Sequence, residues 1–229
     1  MSALPHLVVL SGAGISAESG LKTFRDSDGL WNGYAVEEVA TPRAFAKNPQ
    51  LVLDFYNMRR REVLKALPNE AHTGIAALEQ HFRVTVVTQN VDDLHERGGS
   101  SNVLHLHGEI LKMRGVGEST VYEIREDINL GDVSPQGNQL RPHIVWFEEP
   151  VPLIEDAATI CHTADVFVVI GTSLQVYPAA GLLGVVRDDV PKYIIDRTIP
   201  SVHPYKNIFP IEMNATSGVQ ELIRLLTAR

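Results

Sequence analysis

Short runs of branched and aliphatic residues recur along the chain, separated by longer segments with helical spacing of apolar positions. Uninterrupted runs of this kind are typical of strands buried on both faces of a parallel sheet. The clearest runs lie at residues 7–10, 84–88, 103–106 and 166–170, and weaker ones lie at 193–195 and 208–211. Because strands and helices alternate, the pattern predicts a three-layer α/β domain with a mostly parallel sheet.

Helices are predicted between these strands. Asn48 and Pro49 supply an N-cap and a first-turn proline for a helix running to about Leu67, which is one of its apolar positions. Ser217 and Gln220 fit a capping box that opens a C-terminal helix over residues 218–228. Further helices are predicted at residues 71–82, 152–164 and 179–187.

One stretch interrupts this alternation. Residues 115–139 carry glycines, Pro135, scattered charges and a single strand-like piece at 120–124. A long surface excursion and a small inserted module are both compatible with that composition.

Composition narrows the class of protein. The 229 residues are 44% hydrophobic and 21% charged, as in an ordinary globular domain. The 28 acidic residues exceed the 20 basic ones, so we expect neither nucleic acid nor an anionic membrane as a partner attracted by overall charge. The one cysteine, Cys161, excludes an internal disulfide and a cysteine-based zinc site. No apolar stretch approaches the roughly 20 residues that span a bilayer, and no secretory signal is visible, so we expect a cytoplasmic protein.

A glycine-rich turn follows the first predicted strand directly. Its residues Gly12, Ala13, Gly14, Ile15, Ser16 and Ala17 match the G-x-G-x-x-A form of the dinucleotide fingerprint. Small residues there let backbone N–H groups approach a pyrophosphate at a helix N-terminus. A tight turn without a ligand is the alternative. Residues 18–33 contain no second strand, so hydride transfer is not the natural interpretation.

Polar residues also follow three other predicted strands. They are Gln89, Asn90 and Asp92 after the second, His105 and His107 at the end of the third, and Gly171, Thr172 and Ser173 after the fourth. In open α/β sheets, ligands bind beyond the carboxyl ends of the strands. Asp92 or Asp93 could instead simply cap the next helix. A histidine at a strand end beside a glycine is a candidate general base. Zinc binding by His105 and His107 would need further ligands at suitable spacing, and none is obvious in the sequence.

Five segments resemble the sirtuins, which are NAD-dependent protein-lysine deacylases. They are GAGISAESGLKTFR, TQNVDDLH, LHLHG, RPHIVWFEE and GTSLQVYPAAG, in the family's order and spacing, and the resemblance extends from about residue 7 to 226. The pattern is most similar to bacterial and mitochondrial members that remove acidic acyl groups. It implies a single Rossmann-like catalytic domain over 1–229, with a helical part of a small lobe at 35–75 and a small module at 113–141.

The resemblance also implies residue roles and a reaction. NAD would be bound by the glycine-rich turn (Gly12, Ala13, Gly14, Ile15, Ser16), by Phe24 and Arg25, by Gln89, Asn90 and Asp92, and by Gly171, Thr172, Ser173, Asp196 and Ala215. Asn90 and His107 would be catalytic, with His107 as the base. The acyl oxygen would attack the anomeric carbon as nicotinamide leaves, and His107 would deprotonate a ribose hydroxyl. The products would be free lysine and O-acyl-ADP-ribose.

The substrate side is implied in the same way. Val145, Trp146 and Phe147 would line the acyl-lysine tunnel and present backbone to the peptide. Tyr56 and Arg59, three residues apart on a predicted helix, project from one face. A Tyr-x-x-Arg pair at this place marks sirtuins that accept succinyl- and malonyl-lysine. A solvated Arg59–Arg61 surface, with Tyr56 in the core, is the alternative.

The sequence departs from the family pattern in three ways. Gly115 and Glu118 stand where the first zinc-binding cysteine pair is expected, and residues 113–139 contain no cysteine, so the module is expected to fold without metal. Glu148 replaces a glycine of the peptide-clamping strand, and Asp196 replaces an asparagine near the adenosine ribose. NAD hydrolysis or ADP-ribosyl transfer remains an alternative activity. A silent NAD sensor is disfavoured because Asn90, Asp92 and His107 occur together.

Overall fold

A six-stranded parallel sheet forms the centre of the molecule. The computed structural model describes residues 4–23, 30–31 and 33–228, and Phe24 and Arg25 lie outside them. The central strands are β1 (His6–Ser11), β4 (Arg83–Thr88), β5 (Val103–His105), β9 (Val166–Ile170), β10 (Lys192–Asp196) and β11 (Ile208–Glu212). Their order across the sheet is β11-β10-β9-β1-β4-β5. The predicted α/β fold with a parallel, Rossmann-like sheet is confirmed.

Helices cover both faces of this sheet. The described helices are α1 (Val36–Val39), α2 (Pro42–Lys47), α3 (Pro49–Lys65), α4 (Glu70–Ala77), α5 (Leu94–Arg97), α6 (Ile154–His162) and α7 (Ala215–Thr227), and of these α4, α6 and α7 cover the sheet. α4 and α7 pack on the face that carries Leu7 and Val9. α6 and a 3-10 segment, Ala179–Val185, pack on the face that carries Val8 and Leu10. Because both faces are buried, the strands are continuously apolar.

A second lobe lies beside the carboxyl edge of the sheet. It combines α1–α3 with the short pair β2 (Leu30–Trp31) and β3 (Tyr34–Ala35). An antiparallel sheet of β6 (Gly108–Gly115), β7 (Val121–Glu123) and β8 (Leu140–Ile144) continues it, with β6 in the middle. The predicted strand-like piece at 120–124 is β7, whereas β6 and β8 had no clear pattern in the sequence.

Several predicted helix details were wrong. α3 ends at Lys65, and Leu67 is 73% exposed rather than packed. α7 begins at Ala215, so Ser217 lies inside its first turn and does not cap it. Instead, the Glu18 carboxylate accepts from the Thr216 backbone N–H at 2.9 Å, a contact across 198 residues. The segment predicted at 71–82 divides into α4 and a 3-10 turn, Leu78–Gln80, and that at 179–187 is 3-10.

The remaining features concern membranes and metals. Within the described ranges, no helix is long and apolar enough to cross a membrane. The same residues contain no cluster of three or more His, Cys, Asp or Glu arranged to hold a metal ion.

Candidate active site

A cavity of about 700 Å³ opens at the carboxyl ends of β1, β4 and β9. β1 lies between β4 and β9, so the chain turns to opposite sides of the sheet at this point. Crevices at such reversals are where open α/β sheets bind ligands. The cavity extends from the glycine-rich turn to the second lobe, where Tyr56 and Trp146 line it.

Glycines let the turn after β1 pack against the turn after β9. A Cβ atom on Gly14 would lie 2.6 Å from the Gly171 Cα, and one on Gly12 would lie 2.7 Å from the Thr172 Cβ. The Gly14 N–H donates to the Gly171 carbonyl at 2.8 Å, and Gly171 itself has φ +63°. Close approach of two backbones therefore requires these glycines. Ala13 and Ser16 face the cavity, whereas the Ile15 side chain is buried in the core.

The loop after β4 is tied to that turn by side-chain hydrogen bonds. The Asn90 amide donates to the Ser16 hydroxyl at 3.2 Å, and Ser16 donates to the Asp92 carboxylate at 3.1 Å. The other Asp92 oxygen accepts from the N–H of Leu94, the first residue of α5, at 3.1 Å, while the N-cap residue of that helix is Asp93. Burial raises the pKa of Asp92, although the bonds from Leu94 and Ser16 oppose that shift. The contact with α5 and the site interpretation of Asp92 are thus compatible.

Gln89 and Thr172 connect the two sides of the cleft. The Gln89 amide donates to the Thr172 hydroxyl at 3.2 Å. Further predicted residues line the same cavity, namely Ser173, Asp196 and Ala215. Asp196 ends β10, and its carboxylate accepts from the Thr198 N–H at 3.2 Å.

His107 lies at the junction of the cleft and the second lobe. Its Nδ1 is 3.0 Å from the Gln89 carbonyl oxygen, which can only accept, so Nδ1 carries the proton and Nε2 keeps its lone pair. Burial lowers the pKa of His107, although the bond to Gln89 acts against it. A neutral imidazole with one free lone pair is the form that a general base requires.

Three buried donors lie at the far end of the cavity. The Tyr56 hydroxyl, the Arg59 Nε and the Trp146 Nε1 have no hydrogen-bond partner among the described residues. All three residues line the cavity, and each is at most 6% exposed. Arg59 also pairs through Nη1 with Glu62 at 2.8 Å. Burial raises the pKa of Tyr56, although the neighbouring Trp146 N–H and the charges of Arg141 and Arg59 act against it, so the phenol is protonated and able to donate at neutral pH.

The segment predicted to hold the peptide crosses between both lobes. The Val145 N–H donates to the His107 carbonyl at 2.9 Å, and the Phe147 N–H donates to the Ala40 carbonyl at 3.0 Å. Glu148 follows with φ +74°, a backbone conformation that favours glycine. Its carboxylate pairs with Arg43, whose Nε lies 3.0 Å away.

Sequence reasoning missed other residues of the cavity. These residues lie near predicted site residues or in the second lobe, and examples are Trp31, Gln175, Tyr177, Arg197 and Asn214. Gln175 and Tyr177 follow β9, Arg197 follows β10 and Asn214 precedes α7, and those positions could have identified them. Trp31 lies in β2 of the second lobe and has no such signal.

Comparisons with known proteins agree with this geometry. The model of the Sir2 family matches residues 12–178. A protein of Helicobacter pylori, named NAD-dependent protein deacylase, is 51% identical over 96% of both chains. One of Bacteroides thetaiotaomicron with the same name is 49% identical over 97% of this chain and 98% of that protein. A Sir2 homologue solved with NAD has a TM-score of 0.88 at 39% identity, covering 97% of this chain and 90% of that chain. A mutant Sir2 homologue with ADP-ribose has a TM-score of 0.89 at 39% identity, covering 96% and 90%.

Proposed function

This chain belongs to the Sir2 family and is an NAD-dependent protein deacylase, and we propose that it removes succinyl and malonyl groups from protein lysine side chains at least as well as acetyl. Nicotinamide, free lysine and O-acyl-ADP-ribose are the products. The observation that carries the acyl specificity is the set of unpartnered donors, Tyr56, Arg59 and Trp146, at the buried end of the cavity.

The residues of the cleft fit NAD. Gly12 and Gly14 allow the turn after β1 to pack against the turn after β9, so the phosphates can approach the backbone there without obstruction by side chains. Asp92 presents a buried carboxylate that can accept from the nicotinamide carboxamide, and Asp196 can accept from a ribose hydroxyl. When bound, NAD supplies an activated anomeric carbon and takes up the acyl group.

His107 acts as the base in this proposal. Its Nδ1–H donates to the Gln89 carbonyl, which fixes the tautomer and leaves the lone pair of Nε2 available to accept a proton. The lowered pKa keeps the ring neutral before reaction, so it can remove a proton from a ribose hydroxyl. Asn90, held by Ser16, orients the ribose beside it.

Tyr56 and Arg59 select the acyl group. A distal carboxylate entering the tunnel would meet the phenol O–H and the guanidinium Nε–H, which are buried and have no described partner. A charge-assisted hydrogen bond of this kind contributes about 1.5–3 kcal/mol, or roughly ten- to a hundredfold in preference. Acetyl has no carboxylate to receive it. The ion pair with Glu62 orients Arg59 without using its Nε.

The test compares acetyl-, malonyl- and succinyl-lysine peptides of one sequence. We expect Arg59→Met to reduce kcat/KM for succinyl peptide at least tenfold while acetyl peptide changes much less. Tyr56→Phe removes only the hydroxyl and should act in the same direction with a smaller loss. Arg61→Met is the matched control, because Arg61 lies on the same helix but pairs with Asp127 at the surface.

Two outcomes would contradict the proposal. Equal losses on acetyl and succinyl peptides in Arg59→Met would show that Arg59 is structural. NAD consumption without any dependence on acyl peptide would favour NAD hydrolysis or ADP-ribosyl transfer on the same scaffold.

A further inference from the structure

His105 and His107 bind two successive backbone carbonyl groups in the loop that follows β4. His107 bonds the Gln89 carbonyl, and His105 Nδ1 lies 3.0 Å from the Asn90 carbonyl oxygen. Residues 89 and 90 line the cleft directly after β4. The end of β5 therefore fixes the backbone that presents the Asn90 side chain.

The second nitrogen distinguishes His105 from His107. His105 Nε2 lies 2.7 Å from a carboxylate oxygen of Glu96 on α5. A carbonyl and a carboxylate can only accept hydrogen bonds, so both ring nitrogens of His105 must carry protons. The His105 side chain is 7% exposed, and the Glu96 side chain is 40% exposed. His105 is thus a buried imidazolium beside a half-exposed counter-charge.

Titratable groups surround His105 on several elements. Titratable groups face it from α5, from the loop after β4, from β6 and from β8: Glu96 and His95, Asp92, Glu109 and Lys112, and His143. Burial alone would lower the pKa of His105, but the hydrogen bond and charge of Glu96 outweigh it and the pKa is raised. The positive ring in turn favours the ionised form of Asp92.

We infer that His105 is a positioning residue: clamped as an imidazolium between Glu96 and the Asn90 carbonyl, it holds Asn90 and Asp92 in place, and activity falls when it loses its proton. His105 does not line the cleft, so it acts through the loop. The kinetic part of this inference rests on the proposed function. A neutral ring would turn a lone pair toward one of its two acceptors and release that contact.

The sign of the pH effect follows from the ion pair. Both ring nitrogens of His105 face acceptors and its pKa is raised above the ordinary value of about 6.5, so the ring gives up its proton only as the pH rises past that value. The clamp is therefore present on the acid side of the raised pKa for as long as Glu96 stays ionised, and it is lost on the alkaline side. His107 affects the acid side of the pH profile instead. Its pKa is lowered, so it takes up a proton, and stops serving as a base, only below the ordinary value of about 6.5.

The first experiment measures the ring directly. Nitrogen-15 NMR of the imidazole side chains should show both His105 nitrogens protonated at pH 7. Glu96→Gln keeps an acceptor but removes the charge, and we expect the His105 midpoint to fall by about one to two pH units. Glu109→Gln is the matched control, because Glu109 lines a surface groove together with Glu96 and His105 but pairs with Lys112 at 2.8 Å, so the His105 midpoint should shift less in this variant. A neutral His105 at pH 7 in the unmodified protein would overturn the inference.

The second experiment follows kcat for acyl peptide from pH 5 to 10. The alkaline limb of the Glu96→Gln profile should move to lower pH by the same amount as the NMR midpoint, while the maximal kcat fitted to the profile stays within about twofold. A merely structural Glu96 would lower kcat at every pH without moving the limb. A limb that stays in place while the NMR midpoint moves would refute the positioning role.

The pH dependence of NAD binding separates this inference from the proposed function. If acyl peptides are not turned over at all, the proposed function fails. NAD affinity, measured by calorimetry over the same pH range, then decides the inference. As the pH rises, the affinity should begin to fall at a lower pH in Glu96→Gln than in the unmodified protein. Identical pH profiles of affinity would refute the clamp.

Discussion

Glu118 holds together the two turns that face each other in the β6–β8 module. One of its carboxylate oxygens accepts from the Ser134 hydroxyl at 2.5 Å and from the Asn138 amide at 2.7 Å. Gly115 makes room for it, since a Cβ atom there would lie 2.3 Å from the Glu118 carboxyl carbon. Glu118→Ala removes both contacts and leaves Ser134, which is 5% exposed, without this acceptor.

The magnitude follows from these two bonds. A hydrogen bond to a charged group contributes about 1.5–3 kcal/mol, but Glu118 is only half-buried and both bonds share one oxygen. We therefore expect about 2 kcal/mol for the pair, or roughly a 30-fold change in the opening equilibrium of the module. If the module unfolds together with the rest, Tm should fall by about 4–8 °C.

Hydrogen exchange with mass spectrometry is the assay, because it resolves the module from the rest of the chain. Peptides that span residues 116–119 and 134–139 should exchange about 30-fold faster in Glu118→Ala. Glu123→Ala is the control, since Glu123 is an exposed carboxylate on β7 of the same module. Equal exchange in the two variants would refute the argument that Glu118 bridges the turns.

Three further predictions concern catalysis and metal. His107→Ala should lower deacylation about 10²–10⁴-fold while NAD binding, measured by calorimetry, largely survives; near-wild-type turnover would contradict the assignment of the base. Because burial lowers the pKa of His107, the acid limb of kcat/KM should lie below the ordinary value of about 6.5, and a limb above it would show that another group titrates. Turnover and Tm should be unchanged by a chelator, and stoichiometric zinc in elemental analysis would overturn the expectation of a metal-free module.

The main sheet was predictable because its strands are buried on both faces. Such strands are continuous apolar runs, and the predicted run at 166–170 coincides with β9. The motifs that follow β1, β4, β5 and β9 had to meet at one edge, because parallel strands all end there. The location of the cleft therefore followed from local patterns in the chain.

The second lobe was less predictable because its strands are partly polar and pair antiparallel. Arg141, Pro142 and His143 all lie in β8, although arginine, proline and histidine do not form an apolar run. Arg141 is accommodated by its pair with Glu149 at 2.7 Å and by the face of the Trp146 ring at 3.3 Å. The start of α7 likewise depends on Glu18, which no local window includes.

The sequence by itself determined which strand ends and short motifs meet at the cleft, because parallel strands end at one edge of the sheet. Only the tertiary structure decided their chemical states. His105 and His107 belong to one motif, yet Glu96 makes the first a cation and burial keeps the second neutral. The role that we propose for Tyr56 and Arg59 depends on folding in the same way, because folding buries their donors beside a cavity without giving them a described partner. Protonation and unsatisfied bonding are set by contacts between segments far apart in the chain, and local sequence patterns do not record those contacts.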